Sequence, residues 1–358
     1  MSSLKNDENI INDKQNSKEI LHNYVTKKFT SQPYSCQWIS NSCSVITVGK
    51  KTTGGISKGD IKIHQLEFDD TSSEPKLNLV YENEFTNPFR CMSFFKQSNQ
   101  QQSDNRKFIT GDFNGQISEW DSDICDIPIW GIKNAHQGCI SAIDAFGDNL
   151  VVCGGKDGTI KVYDTRIKPN NNNTSSSSSL ITTFEQTNKN NCWSICTNDN
   201  NIISGFENGD LNIYNLKTNT IQSTIKVNGG ICSIDSNDRS NILNQFLITT
   251  NKSFISEMSL NKNSNNNIEF KDYEINKNPN QTIWSGVYSP WNKKDNENIF
   301  TVAQGDGSVS MYRDDCKLID RVLVSDLPIL SLDYSKDRKG LLCCISLKKQ
   351  LSILISPY

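Results

Sequence analysis

Residues 55–59 have the types and spacing of a catalytic serine motif. They read G-I-S-K-G, the pattern in which a sharp turn between a strand and a helix exposes a nucleophilic serine. Such a serine also needs an acid and a histidine, and the chain has only three histidines. Residues 60–63 alternate polar and apolar side chains, which predicts a strand where the motif needs a helix. We therefore interpret residues 55–59 as a turn and expect no catalysis.

Metal binding is the second chemical possibility, because the chain contains twelve cysteines. No Cys-x-x-Cys pair occurs, and the closest approach, Cys192 and Cys196, lies among strand residues. Asp157 and Asp306 each precede a glycine but lack the further carboxylates that a calcium loop requires. We expect reduced, structural cysteines, Asp-Gly turns, and neither a metal ion nor a cofactor.

The elements that must position these residues are repeated along the chain. The unit is a glycine-containing turn, then a strand of alternating polarity that ends in an aromatic residue. Clear copies occupy residues 110–121, 154–164, 204–215 and 301–312. Weaker turns with the same strand occupy residues 59–66, 249–256 and 346–354. A second signature, in most copies a serine that opens a strand, precedes each turn. Seven alternating pairs without a helical period predict an all-β, seven-bladed β-propeller.

The ends of the chain are predicted to close this ring. Residues 24–29 can supply the outer strand that the last blade lacks after residues 352–355, and this pairing removes an exposed edge. We assign residues 21–358 to the propeller and residues 1–20 to a disordered polar tail. Asn-, Ser- and Gln-rich stretches bury little surface, so we expect surface loops at residues 97–105, 169–179 and 261–267.

The composition restricts the partners and the compartment. A net charge of −3 argues against nucleic acid as the main partner. No apolar run reaches the roughly 18 residues that span a bilayer, so we expect no membrane association. Residues 1–20 lack the apolar centre of a secretory signal. These features favour a cytoplasmic protein, and we expect it to be a monomer within a larger complex.

One column of side chains is a candidate for binding a partner protein. The residue before each strand-opening signature is predicted to lie at the same mouth of the central channel in every blade. Aromatic residues and arginine, which are enriched at binding hot spots, occupy much of this column. Its members are Tyr34, Arg90, Ile140, Trp193, Cys232, Trp284 and Leu330, of which all but Cys232 are the proposed contacts. The alternative is that these side chains only cap the blade cores.

The repeat resembles the WD40 unit, with Tyr163 in the position of its tryptophan. In such repeats a loop histidine, here His136, bonds a strand hydroxyl and the turn aspartate, here Asp157. Gly154 or Cys153 stands where the hydroxyl belongs, which predicts an incomplete network. Asp164 and Arg166 resemble a Trp-Asp-x-Arg box for docking on a ubiquitin-ligase adaptor. The alternative function is therefore a substrate receptor for a cullin-type ligase.

The landmarks between the repeats resemble one WD40 family, the WD-repeat dynein axonemal assembly factors, also called Monad. They occupy residues 35–38, 109–115, 142–144, 191–194, 205–210, 228–233, 282–284 and 328–341. The chain departs from that family in its Asn/Ser inserts and in the turns of the fifth and seventh blades. The resemblance implies a non-catalytic co-chaperone adaptor of the heat-shock-protein-90 system, linked also to apoptosis. Its expected partners are a TPR-containing adaptor subunit, AAA-ATPases and prefoldin-like subunits, and its expected clients include axonemal dynein.

Overall fold

Seven four-stranded antiparallel sheets arranged as blades around a channel form the protein. In the computed structural model, the described residues are 21–68, 75–96, 106–147, 149–168, 179–186, 188–198, 201–237, 243–261, 268–275, 281–291, 298–314 and 316–356. The predicted tail 1–20 and the predicted loop 97–105 lie outside them, as do the predicted loops 169–179 and 261–267 except for Ser179 and Asn261. The seven sheets confirm the predicted seven-bladed propeller.

Blades 1 to 6 each use four consecutive strands, with the innermost strand first. Blade 1 contains β2 (Gln32–Trp38), β3 (Ser44–Thr53), β4 (Ile56–Glu67) and β5 (Lys76–Phe85). Blade 2 contains β6 (Phe89–Phe94), β7 (Lys107–Asp112), β8 (Ile117–Asp121) and β9 (Trp130–Ile132). Blade 3 contains β10 (Ile140–Phe146), β11 (Leu150–Gly155), β12 (Thr159–Asp164) and β13 (Leu180–Glu185).

The remaining blades repeat this arrangement. Blade 4 contains β14 (Cys192–Asn198), β15 (Asn201–Phe206), β16 (Asp210–Asn215) and β17 (Thr220–Lys226). Blade 5 contains β18 (Ile231–Asn237), β19 (Leu243–Thr250), β20 (Phe254–Asn261) and β21 (Ile268–Glu274). Blade 6 contains β22 (Ile283–Tyr288), β23 (Ile299–Gln304), β24 (Ser308–Arg313) and β25 (Leu318–Leu323). Blade 7 contains β26 (Ile329–Tyr334), β27 (Leu341–Ser346), β28 (Gln350–Ile355) and, from the start of the chain, β1 (His22–Lys28).

Blade 7 confirms the predicted closure of the ring. Strand β1 pairs antiparallel with β28 from His22 opposite Ile355 to Lys28 opposite Gln350. The loop that follows stays attached, because the Phe29 backbone N–H donates to Lys349 O at 2.7 Å. The two ends of the chain therefore share one sheet, and the propeller has no open blade edge at the seam.

The turn between the second and third strands of a blade needs a left-handed residue. Glycine fills that position in blades 2, 3, 4 and 6, with φ between 74° and 87°. Blades 5 and 7 lack the glycine, and Ser253 (φ 62°) and Lys349 (φ 59°) adopt the left-handed conformation instead. The weak turns that the sequence shows in blades 5 and 7 are therefore the same turn, formed with some backbone strain.

The cores lie between neighbouring blades. Between blades 3 and 4, Val152 and Ile160 pack with Phe206 and Tyr214, all of them essentially inaccessible to solvent. Burying each large apolar side chain contributes about 1.5–3 kcal/mol. The blades approach so closely here that a Cβ on Gly154 would lie 2.4 Å from Cys192 Sγ. Stacking of adjacent blades therefore supplies the core that one blade lacks.

Side chains on the innermost strands also join the blades by hydrogen bonds. Each acceptor takes a backbone N–H from the next inner strand, at 2.7–3.0 Å. The pairs are Asp333 with Trp38, Gln37 with Phe94, Asp144 with Thr197, and Asp235 with Tyr288. These bonds fix the inner strands relative to one another and so hold the mouth of the channel in a defined shape.

Candidate functional site

A β-bulge near the start of every inner strand builds the candidate binding face. At each bulge the register skips one residue, so one side chain stays out of the ladder beside the turns of that face. The skipped residues are Tyr34, Arg90, Ser141, Trp193, Cys232, Trp284 and Leu330. We call this surface, together with the turns between the second and third strands of the blades, the bulge face.

Ile140 is the one proposed contact that does not lie in this column. It pairs with Gly155, is fully buried in the core, and leaves the bulge position of blade 3 to Ser141. The predicted column was therefore wrong by one residue in blade 3, because Ser141 resembles the serine that opens most of the other inner strands. After the bulge, the regular pairing of the two strands resumes at Ala142, opposite Gly154.

Blades 1 and 2 contribute an aromatic and cationic cluster to the bulge face. The rings of Tyr34 and Phe113 meet edge to face, with 5.4 Å between their centroids. Arg90 Cζ lies 5.5 Å from the Tyr34 ring centroid, and Lys50 Nζ lies 6.0 Å from that of Phe113. Sequence reasoning missed Phe113 and Lys50. The available signal was an aromatic residue inside an exposed Asp-containing turn, where a hydrophobic side chain has no packing reason to be.

The two column tryptophans lie on the opposite side of the ring. Trp193 is half-buried, and its Cζ3 lies against the loop of blade 5, where a Cβ on Gly230 would approach to 2.6 Å. Trp284 is 36% exposed and lies beside Gly305 of its own blade. Leu330 is half-buried and packs against the core shared by blades 7 and 1. Trp284 is therefore the most accessible aromatic anchor of the column.

His136 organises the blade 3 part of this face. Its Nδ1 lies 3.0 Å from Asp157 Oδ1 and its Nε2 lies 3.0 Å from Cys153 Sγ. A charged carboxylate only accepts, so Nδ1 carries the hydrogen and Nε2 accepts from the thiol. Burial raises the pKa of Asp157, but the bonds from His136, Gln137 N–H and Thr159 outweigh it and hold that pKa well below its usual range. The network expected to be incomplete is thus continued through a thiol, while the Tyr163 hydroxyl donates to Ala135 O at 3.5 Å.

Asp164 and Arg166 lie on the opposite face, in the turn after β12. The guanidinium of Arg166 grips the Asp164 carboxylate with Nε at 2.9 Å and Nη2 at 2.6 Å. The Asp164 carboxylate is nearly buried, whereas the Arg166 side chain is 68% exposed. The pair is therefore locked together, and it does not adjoin the bulge face.

The structure places the serine of the catalytic motif in a strand and shows no cluster of metal-ligand side chains in the part of the chain that it describes. Ser57 lies in β4, and its hydroxyl is 3.1 Å from Thr52 Oγ1 across the hairpin, so a strand follows the serine. Among the described residues, no three His, Cys, Asp or Glu side chains converge on a possible metal position. In the same part of the chain, no helix is long and apolar enough to cross a membrane.

Comparison with known proteins decides the family. The chain is 88% identical over 349 residues to Dynein axonemal assembly factor 10 of Dictyostelium discoideum, an alignment that covers 97% of this chain and 98% of that protein. The chain belongs to the dynein axonemal assembly factor 10 family. The human member of this family is 24% identical over 367 residues, and the Chlamydomonas reinhardtii member is 23% identical over 378 residues. These alignments cover 93% and 95% of this chain and 95% and 97% of the relatives.

The solved structures support the fold of this assembly-factor family member. The WD40 β-propeller domain of Doa1 matches it with a TM-score of 0.66 over 93% of this chain and 96% of that chain. At 14% sequence identity, this likeness shows the propeller fold alone. No protein-family model matches the chain. The resemblance predicted from the landmark residues is confirmed.

Proposed function

We propose that this protein is a non-catalytic scaffold that binds partner proteins through the bulge face and supports assembly of axonemal dynein. The observation that carries the proposal is the ring of bulges, which presents Tyr34, Arg90, Trp193 and Trp284 together at one mouth of a rigid channel. Aromatic and arginine side chains held on rigid strands lose little entropy on binding, which suits them as anchors. The 88% identical relative is named a dynein axonemal assembly factor, which supports the same role here.

The partners of this scaffold follow from the family resemblance. We propose a TPR-containing adaptor subunit with its AAA-ATPases and prefoldin-like subunits, which would connect the chain to the heat-shock-protein-90 system. In this proposal the protein is a cytoplasmic monomer within the larger complex. Leu330 and Tyr34 then belong to the contact surface, and Ser141 replaces Ile140 in it.

The double substitution Trp193→Ala with Trp284→Ala tests the binding face. We expect affinity purification followed by mass spectrometry to lose the adaptor complex, while the circular dichroism spectrum and melting temperature stay near those of the wild type. Ile127→Ala is the matched control, because Ile127 is 74% exposed in the loop before β9, away from the bulge face. Full recovery of the partners by the folded double variant would show that the column only caps the blades.

A ubiquitin-ligase receptor is the competing function, and Arg166 separates it from the scaffold. A receptor predicts recovery of a cullin adaptor that disappears with Arg166→Ala. The scaffold predicts no cullin adaptor and an unchanged partner list for that variant. The guanidinium is already engaged with Asp164, so docking through it has to compete with an existing bidentate pair.

A further inference from the structure

We propose that the bulge face binds an acidic segment of a partner protein that also carries aromatic or large apolar side chains. This inference rests on the proposed function and adds the chemistry of the partner. Three observations support it: the cations of the face, the state of its acids, and the packing of cations on aromatic rings.

Cations with no ion pair to an acidic side chain surround the channel mouth. Within the described part of the chain, five basic side chains of the face are partly or largely exposed to solvent and lie in no salt bridge. They are Lys50, Arg90, Lys156, Lys252 and Lys349. They come from blades 1, 2, 3, 5 and 7, so positive charge is distributed around the ring although the chain carries −3 overall.

The acidic side chains of the turns on this face are already engaged. Asp112 accepts from Asn87 Nδ2 at 2.7 Å, and Asp157 accepts from His136 Nδ1 at 3.0 Å. Glu207 accepts from Asn191, and Asp306 forms an ion pair with Arg321. Among these described acids, only Asp306 is neutralised by a cation, whereas Asp112, Asp157 and Glu207 accept from neutral donors and keep their charge. The five cations therefore outnumber these three carboxylates, and the face carries an excess of positive charge. A partner of opposite sign is favoured both in its approach and in its orientation.

The aromatic rings of the bulge face add a second property that a bound partner must match. Arg90 lies over Tyr34 and Lys50 lies over Phe113, so each cation is stabilised by a ring while its outer side faces solvent. Trp284, on the far side of the ring, leaves apolar surface accessible between Lys252 and Lys349 in the order of the blades. A segment with carboxylates alone leaves these rings uncovered. Carboxylates interleaved with aromatic or leucine-like side chains satisfy both the charges and the rings.

Selection of displayed peptides on the full chain tests this chemistry. Immobilised wild-type protein is used to select random 12-residue peptides. The selected peptides are then measured by fluorescence anisotropy against the wild type, Lys156→Glu with Lys252→Glu, and Trp193→Ala with Trp284→Ala. Lys217→Glu with Lys336→Glu is the matched charge control, because both lysines are exposed on the opposite face. Variants are compared only after circular dichroism shows an unchanged fold.

We expect the selected peptides to be rich in Asp and Glu together with Phe, Trp or Leu. Reversal of Lys156 and Lys252 should weaken binding about tenfold or more, and the control pair should change it less than about twofold. Raising the salt concentration from 50 to 200 mM should also weaken binding.

Three results would overturn the inference. Peptides that need Trp193 and Trp284 but lack acidic residues, or ignore the charge reversal, refute the acidic chemistry and leave the proposed function standing. Peptides that never depend on the bulge face refute both. A twelve-nucleotide oligothymidine that displaces the peptides and binds more tightly shows that the positive face serves a phosphate backbone instead.

Discussion

Blades 3 and 1 have exchanged residue types at two equivalent positions, one in the loop that enters the blade and one in its third strand. His136 and Phe29 occupy equivalent loop positions, since their backbone N–H groups donate to the preceding blade at Gly115 O (3.2 Å) and Lys349 O (2.7 Å). Tyr163 and His64 occupy equivalent strand positions, opposite Val151 and Val45. Blade 3 thus has histidine in the loop and an aromatic in the strand, whereas blade 1 has the reverse.

The exchange changes what stabilises each blade. In blade 3 the histidine bonds both Cys153 and Asp157. In blade 1 the Phe29 ring stacks on His64 at 5.0 Å, and a buried group of Lys62, Asp60 and Ser31 supplies the polar contacts. His64 Nδ1 and Asp60 Oδ1 have no hydrogen-bond partner among the described residues. Blade 1 therefore relies on a buried ion pair where blade 3 relies on a hydrogen-bonded histidine.

Lys62→Met should produce the largest loss of stability. The side chains of Lys62 and Asp60 are each 5% exposed, so removal of the cation leaves a buried carboxylate without its main partner. We expect the free energy of unfolding to fall by about 3–5 kcal/mol, measured by urea denaturation. The Lys62 ammonium also lies 5.4 Å from the Phe29 ring, a contact that the variant loses.

The control for this prediction removes both charges. Lys62→Met with Asp60→Thr gives blade 1 the residue type that blade 3 has at Thr159. A well-packed neutral replacement of a buried pair is often neutral or stabilising, so this double variant should recover most of the loss. Equal instability of the single and double variants would show that packing, not the ion pair, dominates blade 1.

His136→Ala should have the next largest effect, in blade 3. It removes the hydrogen bonds to Asp157 and Cys153 and leaves a cavity in place of the fully buried imidazole ring. We therefore expect the free energy of unfolding to fall by roughly 2–3 kcal/mol in the same assay. Cys153→Ser is its conservative partner, since a hydroxyl keeps the donor to His136 Nε2 and should change stability by less than about 1 kcal/mol. A His136→Ala protein as stable as the wild type would show that blade 3 does not depend on its hydrogen-bonded histidine.

The repeats predicted the architecture, but they did not predict this difference. The turns and strand-opening signatures fixed seven blades and the closing strand because they follow the backbone pattern that every blade shares. Two features escaped that reasoning. Packing of Ile140 into the core, not the presence of a serine, sets the register of blade 3. The alternation at residues 60–63 predicted a strand, but it did not show that the polar side chains Asp60 and Lys62 are buried beside Phe29. Alternating polarity does not show whether the polar face of a strand contacts water or a polar interior.

His64→Phe should have the smallest of these effects and a distinct dependence on pH. Burial, with the charges of Lys27 and Lys62, lowers the pKa of His64 from 6.5 to about 4. Between these values the unfolded chain binds a proton that the folded chain does not, so acidification in this window favours unfolding. In the wild type this proton linkage lowers the free energy of unfolding by about 2 kcal/mol at pH 5, and it has no effect above about pH 7.

His64→Phe restores an aromatic residue at the strand position and removes the titrating group, so its stability should vary less between pH 7 and pH 5. The carboxylate of blade 3 provides the internal reference, because Asp157 has a pKa far below this window and stays charged throughout it. Urea midpoints of wild type and variant at pH 5, 6 and 7 measure the difference. Identical pH dependence for both proteins would mean that the pKa of His64 is the same in the folded and the unfolded chain, and that its burial in blade 1 does not disfavour protonation.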